Sequence, residues 1–123
     1  MSLENMTVLI CDDSLLARKK MVTFIRSLGV GTVVEAGDGE ASVNMYKNHL
    51  PDVTFMDIVM PKVNGVDALK QILKINPDAK VIMASSVGTQ ENLKEAITAG
   101  AYDFLQKPLE ENQVKSIIEK LAK

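Results

Sequence analysis

Five times along this chain, a short apolar run rich in β-branched residues gives way to a segment whose apolar residues recur at helical spacing. The runs are Val8-Leu9-Ile10-Cys11, Val33-Val34-Glu35-Ala36, Val53-Thr54-Phe55-Met56, Val81-Ile82-Met83-Ala84 and a last one around Phe104-Leu105. Each is followed by a helix-length connection, which parallel strands require and hairpins do not. Strands this apolar on both faces need helices on both sides of the sheet. The predicted fold is therefore α/β: (βα)5, a doubly wound parallel five-stranded sheet in a three-layer sandwich. A chain of 123 residues, 46% hydrophobic, can bury the core of one such domain without disulfides or structural metals. Residues 1–123 are read as a single domain, with patternless residues 1–5 as an N-terminal extension, in part foreign to the native chain.

The helix boundaries follow from local chemistry. Ser14 is placed as N-cap of the first helix, whose apolar face runs Ala17, Met21, Phe24, Ile25, Leu28 before Gly29. Asp38-Gly39 opens a second helix that ends at Leu50-Pro51, with His49 at its polar end. After Asp57 comes a loop, Ile58 to Asn64, closed by Gly65. The third helix should bury Ala68, Leu69, Ile72 and Ile75 before Asn76-Pro77, and the fourth Leu93, Ala96 and Ile97 before Gly100. The last has Glu110 and Glu111 in its first turn, Val114, Ile117, Ile118 and Leu121 inward, and Lys120 and Lys123 at its end, as the helix dipole favours.

Composition excludes several function classes. A net charge of −2 argues against nucleic acid as a partner, since phosphate binding relies on clustered Lys and Arg. The basic run Arg18-Lys19-Lys20 reads as a solvated helix face. The single cysteine, Cys11, sits in an apolar strand as a buried small hydrophobe and fits a reducing cytoplasm. No apolar stretch is long enough to insert in a membrane. The seven methionines read largely as core filler, and no GxGxxG or P-loop pattern supports nucleotide binding.

What remains is an unusual set of polar residues at the strand ends. The first strand runs into Asp12-Asp13, the third into Asp57, the fourth into Ser85-Ser86 and the fifth into Lys107-Pro108. If the first and third strands are neighbours, three carboxylates meet at the carboxyl edge of the sheet, where open α/β folds place their ligands. Crowded carboxylates raise one another's pKa values unless a cation joins them. Mg²⁺ suits such a site, because it accepts a few carboxylates, retains water and leaves positions for phosphate oxygens. Asp57 is then a metal ligand alone or also a nucleophile toward phosphorus, with the Ser85 hydroxyl and the Lys107 ammonium placed to stabilise charge on a transferring phosphoryl group.

In order and spacing, Leu9-Ile10-Cys11-Asp12-Asp13-Ser14, Met56-Asp57-Ile58-Val59-Met60-Pro61 with Asn64-Gly65, Met83-Ala84-Ser85-Ser86, and Ala99-Gly100-Ala101 leading to Lys107-Pro108 resemble the receiver domain of two-component response regulators. The resemblance covers Thr7 to Ala122 and is strongest to the stand-alone chemotaxis (CheY-type) receivers, which have a flavodoxin-like sandwich. It implies that Asp57 is the phosphoacceptor for a histidine kinase or phosphotransfer protein. Asp13, Asp57 and the Val59 backbone carbonyl would ligate Mg²⁺ directly, and Asp12 through water. Ser85 would be the switch hydroxyl, Lys107 the phosphate-binding ammonium, and the bond before Pro108 cis. Phe104 aligns with the switch aromatic, the other reading of it being core packing. The implied protein is a cytoplasmic monomer, able to dimerise on phosphorylation, that presents a changed surface to a downstream partner such as a flagellar motor switch protein.

Val59 and Val87 depart from the pattern, being apolar where several chemotaxis receivers carry polar residues that place water. Ser85 stands where Thr is common, and Phe104 lacks a phenol hydroxyl. Two rival functions use the same architecture. A metal-dependent phosphohydrolase would employ the same acidic cluster but usually adds a substrate domain or cap. A flavodoxin-like FMN carrier needs a Ser/Thr-rich phosphate loop after the first strand, where this chain has carboxylates.

Overall fold

The computed structural model of the chain describes residues 1–86 and 88–123, so the reading of Val87 lies outside the described residues. Strands β1 (Thr7–Cys11), β2 (Thr32–Ala36), β3 (Val53–Asp57), β4 (Val81–Ser85) and β5 (Asp103–Gln106) alternate with helices α1 (Leu15–Ser27), α2 (Gly39–His49), α3 (Gly65–Ile75), α4 (Gln90–Ala99) and α5 (Glu111–Ala122). All pairings are parallel, in the order β2-β1-β3-β4-β5. The chain turns outward to β2 and then returns across β1 to β3, so the strand order reverses between β1 and β3, a crevice that such sheets use for ligands. This is the predicted (βα)5 sandwich.

Alternation along the strands sorts the core into two layers. On one face Leu9, Cys11, Met56, Val81 and Met83 pack against α2, α3 and α4. On the other, Val8, Ile10, Phe55 and Ile82 pack against α1 and α5. Burying each large aliphatic chain contributes roughly 1.5–3 kcal/mol, so these two layers rather than helix propensity hold the elements in place. Residues Leu3–Asn5, patternless in sequence, form a 3-10 turn whose Leu3 carbonyl accepts from Gly31 N at 3.0 Å.

Two apolar positions differ from expectation. Ile97 on α4 is 48% exposed and Ile75 at the end of α3 is 38% exposed. In α4 only Ala96 is buried outright, so the covered stripe is one residue narrower than the apolar pattern. In α1 the buried residues are Val22 and Ile25, flanked by half-buried Met21 and Phe24. The caps agree with local chemistry: the side chains of Ser14, Asp38 and Asn64 accept from Ala17 N, Ala41 N and Asp67 N.

Candidate functional site

β1 and β3 pair from Val8↔Val53 to Cys11↔Met56, so their carboxyl ends bring Asp12, Asp13 and Asp57 to one place. Carboxylate oxygens of the three lie within 4.8 Å of one another, with Asp12 and Asp57 buried and Asp13 exposed. Lys107, beyond the end of β5, reaches into this cluster. Its Nζ donates to Asp57 Oδ2 at 2.9 Å and to Asp12 Oδ2 at 3.0 Å. The Lys107 backbone N–H is in turn anchored on the Ser85 carbonyl at 2.7 Å, and the Lys107-Pro108 peptide is cis, as the resemblance implies.

The electrostatics follow from this packing. Burial pushes the Asp57 carboxyl above its ordinary pKa, the Lys107 hydrogen bond and charge pull it down, and Asp12 and Asp13 push it up again. The net direction is upward, because desolvation and two like charges outweigh one ammonium. For Lys107, burial acts downward but hydrogen bonds to Asp57 and Asp12 more than offset it, so the group titrates above its ordinary value and stays an ammonium at neutral pH.

The backbone is built to hold this edge close. A Cβ on Gly65 would overlap the Asp57 carbonyl oxygen, and one on Gly39 would overlap the carbonyl of Val63. Only glycine at these points lets the loop after β3 fold back on its own strand and against the start of α2. Gly65 N donates to Ile58 O at 2.7 Å, and Lys62 Nζ sits 3.7 Å from Asp38 Oδ2 across the same junction.

The remaining sequence candidates are placed as follows. Ser85 ends β4 and is buried, next to Ala84, which pairs in register with Asp57. Val59, the second residue after β3, is 59% exposed. Phe104 lies on the edge strand β5 and is 46% exposed, which overturns the core-packing reading. His49 is exposed in the last turn of α2, where a basic group favours the helix dipole. Cys11 is buried and its thiol is pushed up to about 12 by desolvation, a Ser42 hydrogen bond opposing and the Asp12 charge adding. A cleft of about 630 Å³ opens from the acidic cluster between α1 and the segment after β5, with Asp12, Asp57 and Lys107 at one end and Met21, Phe24 and Leu109 on its walls.

One participant was missed by the sequence reading. Arg18 does not belong to a solvated face: its side chain is 16% exposed, its Nε donates to Glu35 Oε1 at 2.9 Å and its Nη1 to the Asp12 carbonyl at 2.7 Å. The available signal was its place one turn after the Ser14 cap, together with an acidic residue near the end of the neighbouring strand.

The donor set fits a small hard cation. Three carboxylates around an open edge match the few-carboxylate, water-retaining coordination of Mg²⁺. The sequence profile of the response regulator receiver domain matches residues 8–119. The chain is 42% identical to chemotaxis protein CheY of Thermotoga maritima over 116 residues, covering 94% of this chain and 97% of that protein. It is 40% identical to chemotaxis protein CheY of Bacillus subtilis, with 92% and 94% covered. Among solved structures, a chain of the CheX-CheY-BeF3-Mg²⁺ complex from Borrelia burgdorferi superposes with a TM-score of 0.86 at 35% identity, covering 94% of this chain and 88% of that one.

Proposed function

The chain belongs to the response regulator receiver domain family, as a CheY-like module of two-component signalling, and on that premise we propose that Asp57 is its phosphoacceptor. The observation that carries this is the Lys107 ammonium within 3.0 Å of both Asp57 and Asp12 at the switch point of the sheet, with the Asp13 carboxylate alongside. A carboxylate oxygen of Asp57 attacks phosphorus of a phosphohistidine, the N–P bond breaks, and the imidazole leaves on the donor as the acyl phosphate forms. Asp13, Asp57 and the Val59 carbonyl would hold Mg²⁺, with Asp12 acting through water, and the ion would supply positive charge to the entering phosphoryl oxygens.

The chain's own residues do the rest. Lys107 exchanges its carboxylate partners for a phosphoryl oxygen, a charge-assisted hydrogen bond that needs only a small movement of the ammonium. Ser85, at the end of β4, contributes its hydroxyl to the same group, and its motion lets Phe104 leave its exposed position on β5 and turn inward. The surface formed by α4, β5 and α5 then changes its affinity for a partner, as a two-state element biased by one local charge. Donors are a histidine kinase or phosphotransfer protein. The output is a downstream protein, with the flagellar motor switch as the specific candidate suggested by chemotaxis relatives.

Receiver domains are signalling proteins rather than conventional enzymes, and the phosphohydrolase alternative has no support among the relatives. We further propose a cytoplasmic monomer that can dimerise on phosphorylation; among the described residues no helix is long and apolar enough to cross a membrane. The test is transfer of radiolabelled phosphoryl from a phosphohistidine donor. Label should move to the wild-type chain with Mg²⁺ and fail to move to Asp57→Asn; equal labelling of that variant overturns the assignment.

A further inference from the structure

Every polar atom of Asp12 is engaged. Its N–H donates to Ala36 O at 3.1 Å, Oδ1 accepts from Ser14 N at 2.9 Å, Oδ2 from Lys107 Nζ at 3.0 Å, and its carbonyl from Arg18 Nη1 at 2.7 Å. Asp13 is the opposite case. It is exposed, and among the described residues its carboxylate makes no hydrogen bond or ion pair, although it stands in the acidic cluster. Its direction is therefore inherited from the backbone that precedes it. The Asp12 carbonyl and the Asp13 N–H belong to one rigid peptide plane, so whatever holds that carbonyl sets the direction in which the chain departs toward Asp13.

Arg18 holds it and is itself held. The planar guanidinium offers several donors in a fixed fork, so one side chain can span the Asp12 carbonyl and the Glu35 carboxylate without bending. Glu35 lies on β2, paired in register with Ile10, and its second oxygen accepts from Lys19 Nζ at 2.8 Å. The guanidinium also lies against Gly37, where an added Cβ would stand 3.4 Å from Nη1. An exposed Arg–Glu pair contributes little and positions nothing. This pair is mostly covered and ends on a backbone carbonyl inside the acidic loop, so its geometry is transmitted to the cluster.

We propose that Arg18, fixed by Glu35, is a positioning residue for the cation site: it orients the Asp12-Asp13 peptide so that the Asp13 carboxylate faces Asp57. The proposal rests on the reading of the acidic cluster as a Mg²⁺ site. Its consequence has a sign that simple electrostatics would reverse. Removing a cation from the neighbourhood of a metal site should tighten metal binding through reduced repulsion. Removing a positioning contact should weaken it, by about tenfold for outer contacts of metal ligands.

Mg²⁺ is titrated into wild type, Arg18→Met, Arg18→Lys and Glu35→Gln, following amide shifts of Asp12, Asp13 and Asp57, with melting curves in chelator to establish that each variant is folded. The expected result is about tenfold weaker Mg²⁺ binding in Arg18→Met and a smaller loss in Arg18→Lys, which keeps the charge but cannot span both acceptors. Glu35→Gln should also weaken binding, and it carries the test with Arg18→Lys if Arg18→Met does not fold. Folded variants that bind Mg²⁺ as tightly as wild type, or more tightly, overturn the positioning role while leaving the metal site intact. Wild type that fails to bind, or binds undiminished in the Asp13→Asn, Asp57→Asn double variant, overturns the site reading and this inference together.

Discussion

The Lys107 ammonium stands between two buried carboxylates, 2.9 Å from Asp57 Oδ2 and 3.0 Å from Asp12 Oδ2. It acts as an internal counter-ion in a place where a divalent cation and a phosphoryl group are each proposed to bind. Removing it therefore affects three properties at once. Lys107→Ala leaves Asp12 and Asp57 to repel each other, and in chelator we expect a loss of about 1–2 kcal/mol, smaller than for a fully buried pair because the lysine is partly exposed. Mg²⁺ should bind the variant more tightly, since no ammonium competes for the carboxylates, and should restore part of the lost stability. Melting curves with and without Mg²⁺ check both. The phosphorylation-induced change in amide shifts around Phe104 should disappear, because nothing then ties the new phosphate to β5.

Asp57 itself carries a pH signature. Its folded-state pKa lies above the ordinary 3.8, through burial first, with the Lys107 hydrogen bond and charge opposing and Asp12 and Asp13 adding. A carboxyl with a raised folded pKa contributes stability below its unfolded pKa and loses it as pH rises through the folded value. In chelator at neutral pH, Asp57→Asn should therefore melt higher than wild type. The difference should vanish below about pH 3.8, where the carboxyl is protonated in both states. A variant that melts lower at neutral pH would show that the Lys107 attraction outweighs burial.

The placement of the polar residues was legible because it depends on strand ends alone: apolar runs that finish in Asp12-Asp13, Asp57, Ser85 and Lys107 deliver those residues to one edge once the strands lie parallel. What was not legible depends on how far each element is covered. Ile97 and Ile75 continue the apolar pattern of α4 and α3, yet periodicity does not say where the neighbouring layer stops. Phe104 is exposed because β5 is an edge strand with one buried residue, Leu105. Arg18 looked like part of a basic surface because its partner, Glu35, is 17 residues away and becomes a neighbour only through the β1–β2 pairing.

Cys11 should be inert in the native protein. Its thiol is buried and pushed up to about 12 by desolvation, with the Ser42 hydrogen bond opposing, so almost no thiolate exists at neutral pH. Alkylating reagents should modify it only after denaturant is added, and rapid native-state labelling measured by intact mass would contradict the burial.

Phosphoryl lifetime should respond to Val59. It is exposed two residues after Asp57, and its apolar side chain cannot hydrogen-bond an attacking water. Val59→Asn should leave the melting temperature unchanged, since nothing buried is altered, and should speed loss of the phosphoryl group by up to roughly tenfold, the scale on which partial positioning of a reactant acts. Decay followed by mass spectrometry with Mg²⁺ present decides it; a decay equal to or slower than wild type would show that water placement near residue 59 is not limiting.

The most direct test of the account is the site of covalent modification. Incubation with phosphoramidate or acetyl phosphate and Mg²⁺, followed by intact-mass measurement and peptide mapping, should find one acid-labile phosphoryl group on Asp57. The gain should be absent in Asp57→Asn and Asp57→Ala and strongly reduced in chelator. A phosphoryl group that persists in both Asp57 variants, or that maps to another residue in wild type, would contradict it.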